Sequence, residues 1–221
     1  MKPKLLVLDV NETLLDLSPL RLDFEAVFGS SDPMGEWFAR LLHGSLVANH
    51  LDDYRAFGVI GVEALHVVAK RRQVDLDGVI ATRIVSHLAS LPAHRDVVPA
   101  LERLVDAGFA LAVLTNGSTE TANAQIENAG LTAFIQRVIS VEEVGRFKPD
   151  PATYRHAAQV MDVSVSESML VAAHDWDVAG AMKTGAQGAF VQRPGSFWSL
   201  PTPMPAVVGE NLEEIADQLA V

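Results

Sequence analysis

Short apolar runs alternate with longer stretches of helical spacing along most of this 221-residue chain, and the alternation predicts an α/β fold. The first run, residues 5–8, is followed at once by Asp9, as expected for a buried parallel strand that ends at a polar residue. The later runs predict strands at residues 110–114, 135–141, 168–172 and 188–191. Helices are predicted at residues 97–107, 120–129, 152–161, 178–184 and 212–219. This order favours a mostly parallel sheet with helices on both faces.

Residues 16–92 lack strand-like runs, and their apolar spacing predicts several amphipathic helices with breaks near residues 30–33 and 58–61. We therefore expect a discontinuous α/β core domain, residues 1–15 and 93–221, into which residues 16–92 are inserted as a helical cap domain. A cap above the strand ends would exclude water and supply recognition groups from above. The active site is expected between core and cap.

Glycine and proline mark further boundaries. Gly108, Gly130 and Gly185 follow predicted helices directly, where a residue that adopts positive φ commonly ends a helix. The proline-rich stretch 194–205 is expected to run over the surface before the last helix.

Composition excludes several classes of protein. The absence of cysteine rules out disulfides, a thiolate nucleophile and cysteine-based metal sites. A net charge of -11 argues against nucleic-acid or anionic-membrane partners, and the basic cluster at residues 70–72 is expected to be a solvated helix end. The sequence shows no pattern of a signal peptide or membrane-spanning segment, so a cytoplasmic location is expected.

Polar residues that can carry chemistry follow the predicted strands in a fixed order. The four motifs are Asp-Val-Asn-Glu-Thr at residues 9–13, Leu-Thr-Asn-Gly-Ser at 114–118, Lys-Pro-Asp-Pro at 148–151 and Trp-Asp at 176–177. Ligands of open α/β sheets bind at the carboxyl ends of the strands, where Asp9 would serve as a nucleophile or a metal ligand. Together the motifs resemble the haloacid dehalogenase superfamily. The resemblance spans essentially the whole chain and implies a Rossmann-like core with an inserted cap.

Two positions separate this chain from the phosphatases that the superfamily resemblance also suggests. Those enzymes have a general acid two residues after the nucleophile and a magnesium-binding acid four residues before the last aspartate. Here these positions are Asn11 and Ala173, which can supply neither function. The chain most resembles the L-2-haloacid dehalogenase branch. That resemblance implies a small 2-haloacid substrate, no metal and no cofactor.

The resemblance also implies roles for six catalytic residues. Asp9 would displace halide from the carbon beside a carboxylate, and water would then cleave the resulting aspartyl ester; halide needs no proton to leave. Lys148 would keep Asp9 ionised, and Asp177 would orient or activate the water. Thr13 would hydrogen-bond the Asp9 carboxylate, and Tyr154 would bond Lys148 or the nucleophile. His174 is the sixth.

Substrate and halide contacts are implied in the same way. Arg40, within an apolar helical stretch, matches the halide-binding arginine of the family, and an always-charged guanidinium suits that role. Thr115 would bind the substrate carboxylate and Asn116 the halide. Trp37 and Phe57 would form an apolar wall, with plain core packing as the alternative. The remaining residues assigned to the substrate site are Val10 and Asn11.

The chain departs from the dehalogenase pattern at residues 172–177, where Ala-Ala-His-Asp-Trp-Asp replaces Ser-Ser-Asn-Ala-Trp-Asp. His174 stands where an asparagine would help to place water, and it could serve as a base near neutral pH, the range in which imidazole titrates. The alternative is a packed structural histidine. Asp175 either sets the tautomer of His174 or faces solvent.

Three other functions stay open from the sequence. The first is a phosphatase-like hydrolase of the same superfamily, and the second is a catalytically silent protein that binds a small carboxylate. The third is a hydrolase of another activated carbon, since fold resemblance alone does not define the reaction. The family resemblance also suggests a homodimer.

Overall fold

A computed structural model describes residues 2–220, which form a six-stranded parallel sheet in the order β3-β2-β1-β4-β5-β6. The strands are β1 Leu5–Leu8, β2 Ala110–Thr115, β3 Arg137–Ser140, β4 Ser168–Ala172, β5 Gln187–Val191 and β6 Val207–Gly209. The helices are α1 Leu20–Phe28, α2 Pro33–Leu51, α3 Phe57–Arg71, α4 Gly78–Ser86, α5 Val97–Asp106, α6 Thr119–Asn128, α7 Pro151–Val160, α8 Asp175–Thr184 and α9 Leu212–Leu219. The predicted α/β fold class is confirmed.

Strand β1 lies in the middle of the sheet, between β2 and β4, and all four of its side chains are buried. A strand buried on both faces explains why its sequence is continuously apolar. The chain order reverses at β1, and a crevice forms at the carboxyl end of the strands at such a switch point. Asp9, Thr115 and Ala172 all lie at this edge, because each ends or directly follows one of the three neighbouring strands.

The predicted helices between the first two strands are present as α1 to α4, and residues 16–92 form no strand. The break near residues 30–33 is confirmed by Gly29, which ends α1 with a φ of 72°. The break predicted near residues 58–61 is wrong, since Gly58 and Gly61 lie inside α3. A Cβ at Gly61 would lie 3.3 Å from Val85 Cγ1, so this glycine lets α3 pack closely on α4.

Two further boundaries differ from the predictions. Helix α8 begins at Asp175 rather than at residue 178, which places Asp177 in its first turn. Strand β6 was not predicted, because three residues at the edge of a sheet carry too little periodicity to be recognised. Gly108, Gly130 and Gly185 have φ values of 85°, 72° and 102°, as expected for helix ends.

The basic cluster at residues 70–72 lies at the exposed end of α3, as predicted, and two of its arginines pair with Glu36. No helix within residues 2–220 is long and apolar enough to cross a membrane.

Arg193 connects the loop after β1 to the C-terminal part of the chain. Its guanidinium donates to the carbonyl of Thr13 at 2.8 and 3.2 Å and to both carboxylate oxygens of Asp96 at 2.8 Å. Asp96 also accepts a hydrogen bond from the backbone of Leu212 at 2.6 Å. This buried pair therefore fixes the turn that carries Thr13.

We expect Arg193→Met to lower the free energy of unfolding by about 3 kcal/mol, because the largely buried Asp96 carboxylate would lose its charged partner. Urea denaturation followed by circular dichroism measures the change. The double variant Arg193→Met/Asp96→Leu should recover part of the loss, since it removes both charges. If Arg193→Met is as stable as the wild type, the pair of Arg193 and Asp96 does not stabilise the fold.

Candidate active site

Asp9 is almost completely buried at the end of β1, with 6% of the residue exposed. Its backbone N–H donates to Val171 O at 3.0 Å, which extends the pairing with β4 by one residue. The Oδ1 atom accepts a hydrogen bond from Lys148 Nζ at 2.7 Å. The Oδ2 atom accepts one from Thr13 Oγ1 at 2.7 Å and lies 3.1 Å from His174 Nδ1. Both carboxylate oxygens of Asp9 thus face donors.

Lys148 joins the two buried acids of the site. Its Nζ donates to Asp9 Oδ1, to Asp177 Oδ2 at 2.6 Å and to Leu114 O at 3.0 Å, so all three ammonium protons have acceptors. Its backbone N–H donates to Asn116 Oδ1 at 2.9 Å. A lysine that is 2% exposed and fully hydrogen-bonded is a fixed positive charge rather than a mobile surface group.

Asp177 lies in the first turn of α8 with no exposed surface. Its second oxygen, Oδ1, accepts a hydrogen bond from Tyr154 Oη at 2.6 Å. Helix α8 can approach α7 this closely because residue 180 is glycine, where a Cβ would lie 2.9 Å from Tyr154 Oη. Tyr154 therefore bonds Asp177 rather than Lys148 or Asp9.

The pKa values follow from these contacts. Burial by itself would raise the pKa of Asp9, but the Lys148 ammonium and His174 hold that pKa well below its ordinary value. Burial would lower the pKa of Lys148, but the charges of Asp177 and Asp9 raise it. Burial raises the pKa of Asp177 and, together with the Asp177 charge, raises that of Tyr154 well above its ordinary value. Asp9 is therefore an ionised carboxylate at neutral pH.

His174 is the second cation beside Asp9. Its Nε2 lies 2.9 Å from Glu12 Oε2, and its ring stacks on Phe38 at a centroid distance of 6.2 Å. Burial by itself would lower the pKa of His174, but hydrogen bonds and charges from Asp9 and Glu12 raise it to about 10. The expectation that this histidine titrates near neutral pH does not hold while Asp9 is ionised.

Glu12 was not singled out from the sequence, although it is a charged residue within the motif at residues 9–13. Asp175, the acid considered as the partner of His174, instead accepts hydrogen bonds from the backbone and hydroxyl of Ser199 at 2.9 and 2.7 Å. Glu12 has a φ of 62°, a left-handed conformation that is uncommon for glutamate.

The motif residues of β1 and β2 surround the same edge of the sheet. Asn11 Oδ1 accepts a hydrogen bond from Gln125 Nε2 at 2.9 Å, and Thr115 Oγ1 accepts one from Gly117 N at 3.1 Å. The side chain of Val10 is fully buried in the core. The structure thus brings together Asp9, Thr13, Asn116, Lys148, Tyr154, His174 and Asp177.

A cavity of about 250 Å³ opens beside Lys148 and Asn116. Lys148 and Asn116 come from loops of the α/β core, and the rest of the wall is apolar apart from His43. Its other lining residues are Trp176 and, from α2, Ala39, Leu42, His43 and Leu46. A cavity of this size and polarity suits a small organic acid.

Arg40 is not among the residues that line this cavity, and its contact with halide stays a prediction. Successive residues of an α-helix turn by about 100°, so Arg40 lies about 60° around the helix from His43, which lines the cavity, and farther from Leu42. Its Nε donates to Glu36 Oε1 at 3.3 Å, and its side chain is 28% exposed. The α2 residue that contacts the site imidazole is Phe38.

The two predicted wall aromatics also lie elsewhere. Trp37 is fully buried among the helices, where its ring packs on Phe24 at 5.4 Å and its Nε1 donates to Gly61 O at 2.9 Å. Phe57 packs on Phe147 at 6.1 Å and lines a separate cavity beside α4. Trp37 and Phe57 are therefore packed in the core, which was the alternative to a role in the site wall.

The contact with Glu36 alone predicts that Arg40→Gln changes kcat/KM for a 2-haloacid by no more than about twofold. It also predicts a change in the free energy of unfolding of less than about 1 kcal/mol, as is typical of a partly exposed ion pair. Steady-state kinetics and urea denaturation measure both. Phe38→Ala, which removes the ring stacked on His174, is the matched variant on the same helix and should be the more impaired. A tenfold loss of activity in Arg40→Gln would instead support the predicted contact of Arg40 with the halide.

Comparison with known proteins places the chain among hydrolases. Residues 3–184, well over half of the sequence, match the model of the haloacid dehalogenase-like hydrolase family. The chain belongs to this family. The (S)-2-haloacid dehalogenase 4A of Burkholderia cepacia is 28% identical over 192 residues, which cover 86% of this chain and 83% of that protein.

One further relative supports the placement, and one solved structure shares the fold. The haloacetate dehalogenase H-2 of Moraxella sp. (strain B) is 28% identical over 159 residues, covering 72% of this chain and 71% of that protein. The L-2-haloacid dehalogenase of Xanthobacter autotrophicus, with chloropropionic acid covalently bound, superposes with a TM-score of 0.92 over 98% of both chains at 23% identity. The second likeness establishes a shared fold.

The side chains present do not fit the metal ion that other branches of the family hold. Position 173 is an alanine, and residues 2–220 contain no group of three or more His, Asp or Glu side chains arranged to bind a metal. The positive charge beside Asp9 comes from Lys148 and His174 instead.

Proposed function

We propose that this family member is a hydrolytic dehalogenase of short 2-haloalkanoic acids, in which Asp9 is the nucleophile. The observation that carries the proposal is the Asp9 carboxylate, which is buried, ionised and bonded to Lys148. Neither Asn11 nor Ala173 supplies the acid or metal ligand that a phosphoryl transfer of this family would use. Displacement of a halide needs neither.

In the first step, Asp9 would attack C2 of the substrate from the side opposite the halide, so that the Asp9 O–C bond forms as the carbon–halogen bond breaks. Thr13 and Lys148 would orient the carboxylate. Asn116, which lines the cavity, would bind the departing halide, and the neighbouring Thr115 would bind the substrate carboxylate. One displacement inverts C2, so an (S)-2-haloacid would give an (R)-2-hydroxy acid.

In the second step, water would attack the carbonyl carbon of the Asp9 ester and release the hydroxy acid without breaking its new C–O bond. Asp177 and Tyr154 would hold Lys148 in place during this exchange, since both oxygens of Asp177 are already hydrogen-bonded. We also propose that residues 16–92 act as the cap domain above the core, and that two copies of the chain form a homodimer.

The test is halide release from (S)- and (R)-2-chloropropanoate, chloroacetate and fluoroacetate in the presence of EDTA, with chiral analysis of the lactate formed. Release of chloride from the (S)-acid together with (R)-lactate is the expected result. Phosphate release from p-nitrophenyl phosphate with added Mg²⁺, and no halide release, would favour the phosphatase alternative. Binding of 2-chloropropanoate without turnover in either assay would favour the silent binding protein.

A further inference from the structure

His174 contacts one carboxylate inside the site and another at its edge. Nδ1 faces Asp9 Oδ2 at 3.1 Å, and Nε2 faces Glu12 Oε2 at 2.9 Å. The His174 side chain is 12% exposed and that of Glu12 is 41% exposed. Both residues line an opening whose other wall is the segment from Pro194 to Phe197. A proton on this imidazole can therefore reach solvent.

The conformation of Glu12 supports a functional interpretation of this contact. Holding a residue other than glycine at a φ of 62° costs about 1–2 kcal/mol. Strained residues of this kind concentrate at active sites and switch regions. Four non-glycine residues within residues 2–220 have positive φ, and Glu12 is the one of them that places a carboxylate on the site imidazole.

Resting on the proposed function, we propose that Glu12 and His174 form a carboxylate–imidazole pair that is inactive while Asp9 is ionised and becomes the general base for ester hydrolysis once Asp9 is alkylated. Glu12 is the positioning residue, because it holds the Nε2 proton and so directs the Nδ1 lone pair toward the Asp9 ester. His174 is the catalytic residue, since its Nδ1 takes the proton of the attacking water.

The trigger is the loss of charge on Asp9. Hydrogen bonding and charge from Asp9 are among the causes that raise the pKa of His174, and an ester supplies no such charge. Glu12 remains on Nε2 and continues to raise the pKa of His174, so the fall in this pKa is the part that Asp9 contributes. The other neighbours add little: Phe38 and Trp176 are uncharged, and Asp175 is bonded to Ser199. The Lys148 ammonium on the opposite Asp9 oxygen favours the neutral imidazole further.

The proton balance of the whole reaction fits this order of events. Esterification consumes the Asp9 carboxylate and releases halide, after which His174 loses its Nδ1 proton to solvent. Neutral His174 takes a proton from water as the hydroxide adds to the Asp9 carbonyl carbon, and it returns that proton to the departing alkoxide. The Asp9 carboxylic acid then protonates His174, which restores the starting pair. One proton is released per halide, as the overall hydrolysis requires.

Asp177 is less suited to the role of base. Its Oδ1 is bonded to Tyr154 and its Oδ2 to Lys148, and the residue has no exposed surface. Its carboxylate would have to break one of these hydrogen bonds before it accepted a proton from water.

The first test needs no substrate, because Asp9→Asn removes the charge of Asp9, as alkylation does, and nearly keeps the shape of the carboxylate. The pKa of His174, followed by NMR of isotope-labelled histidine, should be about 10 in the wild type. In Asp9→Asn it should lie closer to 6.5, the ordinary value of histidine. An unchanged pKa in a folded Asp9→Asn variant would overturn the proposal.

The second test separates the two chemical steps by rapid-quench mass spectrometry with (S)-2-chloropropanoate. In Glu12→Gln and His174→Gln, formation of the ester should persist while its hydrolysis slows by about 10-fold and about 100-fold respectively, so the ester accumulates. The pH dependence of hydrolysis should disappear in His174→Gln. Asp175→Asn is the matched control on the neighbouring acid and should hydrolyse its ester at the wild-type rate.

The outcomes distinguish this inference from the function on which it rests. A wild type that releases neither halide nor hydroxy acid would overturn the proposed function and the inference with it. Halide release with no ester accumulation in either Gln variant would overturn the inference alone. Equal slowing in Glu12→Gln and Asp175→Asn would also overturn it, because the effect would then not depend on the contact with His174.

Discussion

Replacing Asp9 by Asn is expected to lower kcat by at least about 10⁴-fold, the scale seen when a catalytic nucleophile is removed. An amide has nearly the shape of the carboxylate but does not displace halide from carbon. Thr13 and Lys148 should keep their places, because Lys148 retains its hydrogen bonds to Asp177 and Leu114. The loss should therefore appear in kcat, with the fold intact by circular dichroism.

The origin of the product oxygen tests the same residue without a variant. With enzyme in excess over substrate in H₂¹⁸O, the first turnover should yield a hydroxy acid that carries ¹⁶O from Asp9, and the ¹⁸O label should appear in the protein. For the kinetics of Asp9→Asn, the control for the loss of an acid is Asp175→Asn, because Asp175 lies outside the Lys148 network. Solvent oxygen in the first-turnover product would mean that water, and not Asp9, attacks the substrate.

The group around Asp9 could be anticipated from the sequence for a simple reason. Parallel strands bring their carboxyl ends to one edge, so motifs that follow β1, β2 and β4 must meet there whatever the details of packing. Thr13, Asn116 and Asp177 are examples. Lys148 was placed correctly for the same reason, because the loop before α7 returns to this edge.

The same argument does not predict which side of α2 faces the site, because α2 does not follow a strand of the sheet. Arg40 lies between Ala39 and Leu41, and apolar residues flank it on both sides in the sequence. The packing of α2 against α3 buries Trp37 and Leu41, and this turns Arg40 toward Glu36. Linear spacing defines the faces of a helix but leaves open which neighbour each face contacts.

Glu12 was missed because the direction of its side chain depends on one backbone angle. In an ordinary turn a glutamate at this position would be expected to face solvent, and the sequence contains no signal for the positive φ. Its contact with His174 also depends on residues 162 positions apart in the chain. Such a pair becomes visible only when the loop after β1 and the start of α8 are placed together.

Lys148→Met is expected to lower the free energy of unfolding at pH 7 by about 3–5 kcal/mol, the range found when one partner of a buried ion pair is removed. The thioether has a similar length but no charge, so Asp9 and Asp177 would face each other without the ammonium between them. At least one carboxyl should then take up a proton near neutral pH. Turnover should fall as well, because a protonated Asp9 is no nucleophile.

The stability loss of Lys148→Met should be larger at pH 7 than at low pH. In the wild type the pKa of Asp9 is depressed below 3.8, so its stabilising contribution is present above that value and is lost as the pH falls through the folded-state pKa. In Lys148→Met burial is opposed by His174 without the Lys148 ammonium, so the pKa of Asp9 rises and protonation at lower pH stabilises the folded state. The difference in unfolding free energy should therefore shrink from pH 7 to pH 4.

Lys148→Arg is the matched control, since it keeps the charge but spreads its donors over a planar group. The three acceptors of Lys148 Nζ come from separate elements and suit a compact ammonium, so arginine should recover stability only in part and activity little. A stability difference between Lys148→Met and the wild type that stays constant from pH 7 to pH 4 would mean that the two carboxyls are not held ionised by this lysine. The nucleophile would then need another source of its charge.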